Sequence, residues 1–439
     1  MYKKNISNFS TIIVLNLLCS VTQSMQASCP TTTPWSSPAV LSNNPGTIES
    51  GIFSAATSAG FMAAWSDNAS NAHYSFSSDG IHWQSDVIST ATFLANSSPY
   101  SDVFVAGNDT GFMVAWVDDS GNGWSNFSTD NGNSWSPAIQ INPNTLSLDP
   151  SAEVFIAGGS SGFVAGMLVR DPSYSPGNPN YIYDNLYVSF STGTTVWSAP
   201  VQVTTGGPIR NTNVNSPTGR GFVGAVVSGN SCMFTWLGHF QETTSAYFES
   251  INPFNSPFST TSTPSSIYYD GIFGSIPAVA EFDGYFMTSA NGGGVVYFSI
   301  TNTPTTAPAN WAIFGFTNPA INPTTNVSAP GPWMAANQAG FMSTWIGDTS
   351  GSGSYPDTPM WMLLSDNGFT WGPQCSILNT PITIDGPVIL SANSQGFVAT
   401  WEGSDSNPYA AFYSTPFTPS TPTGSTAFAG RLIQKYGKA

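Results

Sequence analysis

Ser128-Thr129-Asp130-Asn131-Gly132-Asn133-Ser134-Trp135 reads S-x-D-x-G-x-x-W and lies between two runs with strand character. Looser copies stand at Ser77-Ser78-Asp79-Gly80-Ile81-His82-Trp83 and at Ser365-Asp366-Asn367-Gly368-Phe369-Thr370-Trp371. A worn copy between Ser191 and Trp197 keeps the Ser, Gly and Trp but has no Asp. The chemistry is that of a hairpin connection. Gly supplies a positive φ, and the Asp carboxylate accepts hydrogen bonds from N–H groups of its own turn. The Trp then enters the next strand and packs between neighbouring strands.

A second string, Gly-Phe-Met-x-Ala-Trp, recurs around these turns. It is complete at Gly60–Trp65 and Gly111–Trp116, and related strings begin at Gly162, Ser231, Tyr285, Gly340 and Gly396. The period is roughly fifty to seventy residues, and such self-similarity marks a repeat architecture. Most copies follow a short apolar stretch and precede a polar loop, an alternating strand such as Ala72–Ser77, the acidic hairpin and a fourth strand such as Trp135–Ile141. Four strands per unit in seven units predicts an all-β, seven-bladed β-propeller, in which stacking of the sheets buries faces that one sheet would expose. Trp35-Ser36-Ser37-Pro38-Ala39-Val40-Leu41 matches the fourth-strand strings at Trp135 and Trp197, whereas the last unit, Val388 to Phe417, lacks one. Residues 35–41 are therefore expected to complete the last blade and shut the ring, removing exposed edges. The units near 213–265 and 272–317 lack the acidic turn.

The repeated turn resembles the Asp-box, or BNR repeat, of the sialidase superfamily. That resemblance implies a propeller whose Asp-boxes lie on the hairpins between third and fourth strands, with ligands bound on the opposite face. It makes Ser77, Asp79, Gly80, Trp83, Ser128, Asp130, Gly132, Trp135, Asp366, Gly368 and Trp371 structural. The opposite face then collects second-to-third-strand loops and inter-blade crossings rich in acids and aromatics. Trp124, Arg170, Asp171, Arg210, Tyr269 and Trp333 are its candidate ligand-binding residues, beside Asp67, Asp118, Tyr174, Tyr183, Asp184 and Asp405. Aromatic faces stack on sugar rings and carboxylates accept hydrogen bonds from hydroxyls, a combination that suits neutral carbohydrate. Polar loops and packing aromatics would give a similar list without any ligand.

Sialidases of the superfamily grip a carboxylate with three arginines from separated blades. Here no arginine precedes Arg170, and Arg170, Arg210 and Arg220 fall in the third and fourth units only. Seven units, where sialidases have six blades, is a second departure. Both argue against sialidase activity. A glycoside hydrolase working through paired carboxylates is the alternative to a binding module, with Asp102, Asp119, Asp149 and Asp385 as candidates and no pair singled out. A protein-binding scaffold is the third reading. Asp118 and Asp119 with Asn122, or Asp405 with Glu402, offer oxygen ligands for calcium but no complete ligand string. No other cofactor motif is present, and the three histidines are scattered.

Composition narrows the partners. Formal net charge is −16. The few basic residues cluster at the termini, apart from the three central arginines, which excludes a nucleic-acid or anionic-membrane surface. Lys3 and Lys4 precede the apolar run Ile12–Leu18, with small and polar residues at 22–28, the layout of a secretory signal peptide over residues 1–28. The expected location is secreted, periplasmic or cell-surface, with no transmembrane segment in the mature chain. Residues 29–417 form the propeller and 418–439 a Thr/Pro/Ser linker with a short basic tail. After cleavage Cys29, Cys232 and Cys375 remain, an odd count that permits one disulfide and one thiol. The reading that follows is an exported, non-catalytic module for a glycan or glycoprotein.

Overall fold

The computed structural model describes residues 35–42, 48, 51–67, 71–84, 87–88, 103–118, 120–142, 146, 148, 154–160, 162–170, 181–191, 196–204, 209–212, 223–228, 231–236, 247–248, 265–266, 278–292, 295–302, 312–317, 332–346, 360–372, 375–376, 384 and 388–414. Every element in them is a β-strand and every pairing is antiparallel. No described helix is long and apolar enough to cross a membrane.

The short strand β1 (Ala39–Val40) precedes the first sheet, β2 (Phe53–Thr57), β3 (Gly60–Ser66), β4 (Ala72–Ser77) and β5 (Val87–Ile88). The second sheet is β6 (Phe104–Asn108), β7 (Gly111–Val117), β8 (Gly123–Ser128) and β9 (Ile139–Gln140). The third holds β10 (Val154–Gly159), β11 (Gly162–Arg170), β12 (Tyr181–Ser191) and β13 (Val201–Gln202), and gains a fifth strand, β14 (Ile209–Thr212). Next come two pairs, β15 (Val223–Ser228) with β16 (Ser231–Trp236), and β17 (Tyr247–Phe248) with β18 (Ser265–Ser266). Four-stranded sheets follow: β19 (Ala278–Phe282), β20 (Tyr285–Gly292), β21 (Val295–Thr301) and β22 (Ala312–Thr317), then β23 (Trp333–Asn337), β24 (Gly340–Ile346), β25 (Met360–Ser365) and β26 (Cys375–Ser376). The last, β27 (Ile389–Asn393), β28 (Gly396–Glu402) and β29 (Pro408–Ser414), takes β1 as its fourth strand. Each recurring Gly-Phe-Met string is a second strand, as the repeat predicts.

The sheets stack in sequence through their first strands. β2 packs on β6, β6 on β10, β10 on β15, β15 on β19, β19 on β23 and β23 on β27, and β27 packs in turn on β2. At one level of these strands sit Phe53, Phe104, Phe155, Trp333 and Ile389, in register with the small second-strand residues Ala64, Ala115, Gly166, Thr344 and Thr400. The small partners leave room for the large rings, whose centroids lie 4.2 Å apart for Phe53–Phe104 and 5.0 Å for Phe104–Phe155. Trp333 packs against the same cluster.

Farther out, the turn tryptophans tie each sheet to its predecessor. Trp135 meets Tyr74 edge-on at 5.2 Å, Trp197 donates its indole N–H to Ser125 Oγ at 2.9 Å, and Trp371 stacks on Phe298 at 4.2 Å. Trp35 does the same for the last sheet, donating its indole N–H to Met362 Sδ at 3.1 Å. Where a serine follows the Trp, it repeats one bond. Ser36, Ser136 and Ser198 accept the N–H of Phe412, Phe127 and Phe190 on Oγ, and return their own N–H to the same residue's carbonyl. The match of Trp35–Leu41 to a fourth strand is thus physical: Ala39 and Val40 pair with Ala410 and Tyr409.

Several placements differ from the sequence reading. The third sheet has five strands, not four, because β12 runs past the end of β13 and leaves an edge that β14 covers. Arg210, assigned to a crossing, is in β14. Trp333, also assigned to a crossing, is the first residue of β23 and packs in the core. Arg170, Tyr183 and Asp184, assigned to a loop, are in strands β11 and β12, and Trp124 is in β8.

Candidate functional site

The three acidic turns lie in the β2–β5, β6–β9 and β23–β26 sheets, at the end where the third strand hands over to the fourth. In the first, Asp79 Oδ1 accepts the N–H groups of Ile81 and His82 at 2.8 Å each, and its Oδ2 lies 2.7 Å from His82 Nδ1. Ser77 Oγ donates to Asp79 and accepts the N–H of Gly80. In the second, Asp130 accepts from Ser134 N (2.8 Å), Ser134 Oγ (2.6 Å) and Ser128 Oγ (2.8 Å), while Ser128 Oγ accepts from Gly132 N. In the third, Asn367 and not Asp366 fills this position, its Oδ1 accepting from Phe369 N and Thr370 N at 2.8 Å each. The residue two places after the serine faces back into the turn, and there an amide oxygen accepts as a carboxylate does. Asn367→Ala is therefore expected to cost about 1 kcal/mol of stability, and Asp366→Ala less than about 0.5, in paired denaturant melts. Equal losses would restore Asp366 to the role.

A second repeated device stands at the opposite end of the strands, between second and third. In the first sheet, Asp67 accepts Asn71 N (2.7 Å) and Asn71 Nδ2 (2.8 Å), and its Oδ2 lies 3.1 Å from His73 Nε2. In the second, Asp118 accepts Asn122 N (2.9 Å), Asn122 Nδ2 (3.0 Å) and the indole N–H of Trp124 (2.8 Å). In the last, Asp405 accepts Asn407 N (3.2 Å), Asn407 Nδ2 (2.8 Å) and the hydroxyl of Tyr409 (2.7 Å). Each bracketed ring sits in register with a second-strand tryptophan: His73 with Trp65, Trp124 with Trp116, Tyr409 with Trp401. His73 stacks on Trp65 and Tyr409 on Trp401, with interplanar angles of 11° and 15°. The last, first and second sheets are successive, so the three brackets form one arc. His73 is buried, while Trp124 and Tyr409 are half exposed.

These hydrogen bonds set the charge state. Burial works against ionisation of Asp67, Asp118 and Asp405, but the bonds from Asn71, Asn122 and Asn407 and from the ring partners outweigh it, and each carboxyl lies below the ordinary aspartate range. At Asp130 the Ser134 bonds lead, and that carboxyl is also lowered; Asp79 is lowered further, its bonds to His82 overcoming burial. Burial, and then the bond to Asp405, pushes the Tyr409 hydroxyl up, so the phenol is the donor. A lowered folded-state pKa gives stability that is full above the unfolded value, about 4, and lost as pH falls through the folded one. The melting temperature is expected to be level from pH 7 to about 5 and to drop below about pH 4. Asp118→Asn, combined with Asp405→Asn, should flatten that drop; a wild-type profile level to pH 2 would contradict these shifts.

The brackets also decide what the loop carboxylates do. Asp118 is surrounded by N–H donors, with the Ser120 N–H a further one at 2.9 Å, and that donor set does not fit the calcium site considered for Asp118 and Asn122. The N–H and O–H donors on Asp405 argue likewise. Among the described residues no three acidic, histidine or cysteine side chains cluster as a metal site would need. Arg170 and Arg210 flank β12, Arg170 in register with Asp184 on one side and Arg210 with Tyr183 on the other. Asp184 is fully buried. Asp102, Asp119, Asp149, Asp171, Tyr269 and Asp385 lie outside the described residues, as does Arg220. The bracket went unread in the sequence, although its signal is there: a second-strand Trp, then an Asp, then Asn-x-aromatic.

No protein-family model matches this sequence, and no curated protein matches it. Similar solved structures include the Trypanosoma rangeli sialidase in complex with the inhibitor DANA, at 12% identity and a TM-score of 0.42, covering 71% of this chain and 54% of that one. They also include an Aleuria aurantia lectin mutant in complex with α-methyl-L-fucoside, at 11% identity and a TM-score of 0.42, covering 76% of this chain and 98% of the lectin. The chain thus spans about half the length of the sialidase.

Proposed function

We propose that this chain is an exported, seven-bladed, Asp-box β-propeller that binds neutral glycans without cleaving them, through the face carrying the Asp–Asn–aromatic brackets. The succession of first strands from β2 to β27 and back to β2 supports a ring of seven blades. The pairing of β1 with β29 supports its closure by the N-terminal strand. The charged, then apolar, N-terminus and a disulfide-bonded Cys375 support export.

One observation carries the binding reading: Trp124 and Tyr409 are half-exposed rings, each pinned by a carboxylate and backed by a buried tryptophan. A ring that cannot turn away loses little freedom when a sugar stacks on it, and preorganisation of this kind is where affinity is gained. The same carboxylates hold their charge and already accept several N–H or O–H groups. They hold the rings in place for a sugar to stack on, but do not supply the proton that glycoside cleavage requires.

The test is full-length exported protein on a broad glycan array, each spot read by mass. Retention without mass change, reduced tenfold or more by Trp124→Ala or Tyr409→Ala, is the expected result. Tyr409→Phe keeps the ring and should retain most binding. Loss of a sugar from any spot would move the reading to the hydrolase, and retention indifferent to both alanine variants would place the site elsewhere.

A further inference from the structure

We infer that Cys375 is joined to Cys29, and that this disulfide fastens the closing N-terminal strand to the sheet before the one it completes. Cys375 is in a disulfide, and Cys232 retains its thiol within the core of a different sheet, β16. The chain has only two other cysteines, Cys19 and Cys29. Cys19 falls in the apolar part of the segment read as a signal peptide.

Position favours Cys29 independently. Trp35 reaches out of the last sheet to donate its indole N–H to Met362 Sδ. Met362 is the cross-strand partner of Cys375, and Trp35, Met362 and Cys375 are buried in one cluster. Cys29 stands six positions before Trp35, so it is within roughly 20 Å of chain from that point. The strand from 35 to 41 is otherwise held by two residues of ladder, one isolated bridge at Trp35, the bonds of Ser36 and the Leu41 N–H on the Pro408 carbonyl. A strand paired over so short a length would fray alone. A covalent bond at its outer end keeps it in place, and the loop it closes takes in nearly the whole ring, which limits the unfolded chain most. Forming the bond removes two protons and two electrons from the two thiols; a disulfide-bearing oxidant of the exported compartment accepts both and becomes a dithiol.

The full-length exported protein, digested with pepsin under non-reducing conditions, should yield one linked peptide pair containing Cys29 and Cys375. Cys232 should alkylate only after denaturation. Reductant should lower the melting temperature of the wild type by about 5 °C or more. Cys29→Ser and Cys375→Ser should melt lower and no longer respond, while Cys232→Ser should respond as the wild type does. A link from Cys375 to Cys19 or Cys232, an alkylatable Cys375 in the native protein, or a Cys29→Ser variant still sensitive to reductant would each overturn the assignment.

Discussion

Gly111→Ala should cost about 3 kcal/mol or more. Gly111 opens β7 with φ at +149°, outside the regions an L side chain adopts readily. An added Cβ would stand 2.0 Å from the carbonyl oxygen of Ser128 and 3.1 Å from the Thr129 Cα. Those are backbone atoms of the acidic turn, where Ser128 Oγ and Asp130 organise the hairpin, so they cannot swing aside as a side-chain tip could. Relief requires parting β7 from β8 or distorting the turn that carries Trp135. Gly60, Gly340 and Gly396 have the same conformation and meet Ser77 O, Ser365 O and Tyr413 O at 2.1 to 2.2 Å. Gly284, with φ at +77° and nothing within 4 Å of an added Cβ, carries positive-φ strain without a clash. Gly284→Ala should lose only about 1 to 2 kcal/mol. Guanidinium midpoints of the two variants separate clash from strain, and a Gly111→Ala protein as stable as Gly284→Ala would refute the clash.

That recurring glycine explains why the fold was legible in the sequence and much of the site was not. Gly-Phe-Met repeats because most sheets meet the same geometric demand: a glycine where two backbones touch, as at Gly60, Gly111, Gly340 and Gly396, then a buried ring and a buried Met or Val. Trp35-Ser36 was legible for the same reason, since the Trp reaches the previous sheet and the Ser repeats the bonds of Ser136 and Ser198. Asp366 was misread because S-D-N-G offers two residues able to accept, although the serine-plus-two spacing of Asp79 and Asp130 falls on Asn367. Trp333 looked like a loop aromatic because a proline-rich segment precedes it, whereas the strand begins at the ring itself. The brackets were hidden by spacing. Asp to Asn is four residues in the first and second sheets and two in the last, so no fixed string recurs although the bonds do. Ladders impose a common register on strands; loops impose only that a carboxylate find its donors.

Phe104→Ala should cost about 3 to 5 kcal/mol, because the ring it removes is the middle of three. Phe104 lies between Phe53 and Phe155, rings from the preceding and following sheets, and is itself nearly buried. The loss has two parts, the transfer of the ring's apolar surface and the cavity left behind. The second is large here because little can move into the space. Ala115, the cross-strand partner, is already small, and Phe53 and Phe155 are fixed by their own ladders to Ala64 and Gly166. A cavity at this level weakens two sheet-to-sheet contacts at once. Phe104→Leu keeps most of the volume and should lose about 1 to 2 kcal/mol. Val196→Ala, at a position 71% exposed, should change stability by less than about 0.5 kcal/mol. If Phe104→Ala melted no lower than Phe104→Leu, the neighbouring sheets would have closed over the gap. The first strands would then be held together by their outer tryptophan contacts and not by this layer of rings.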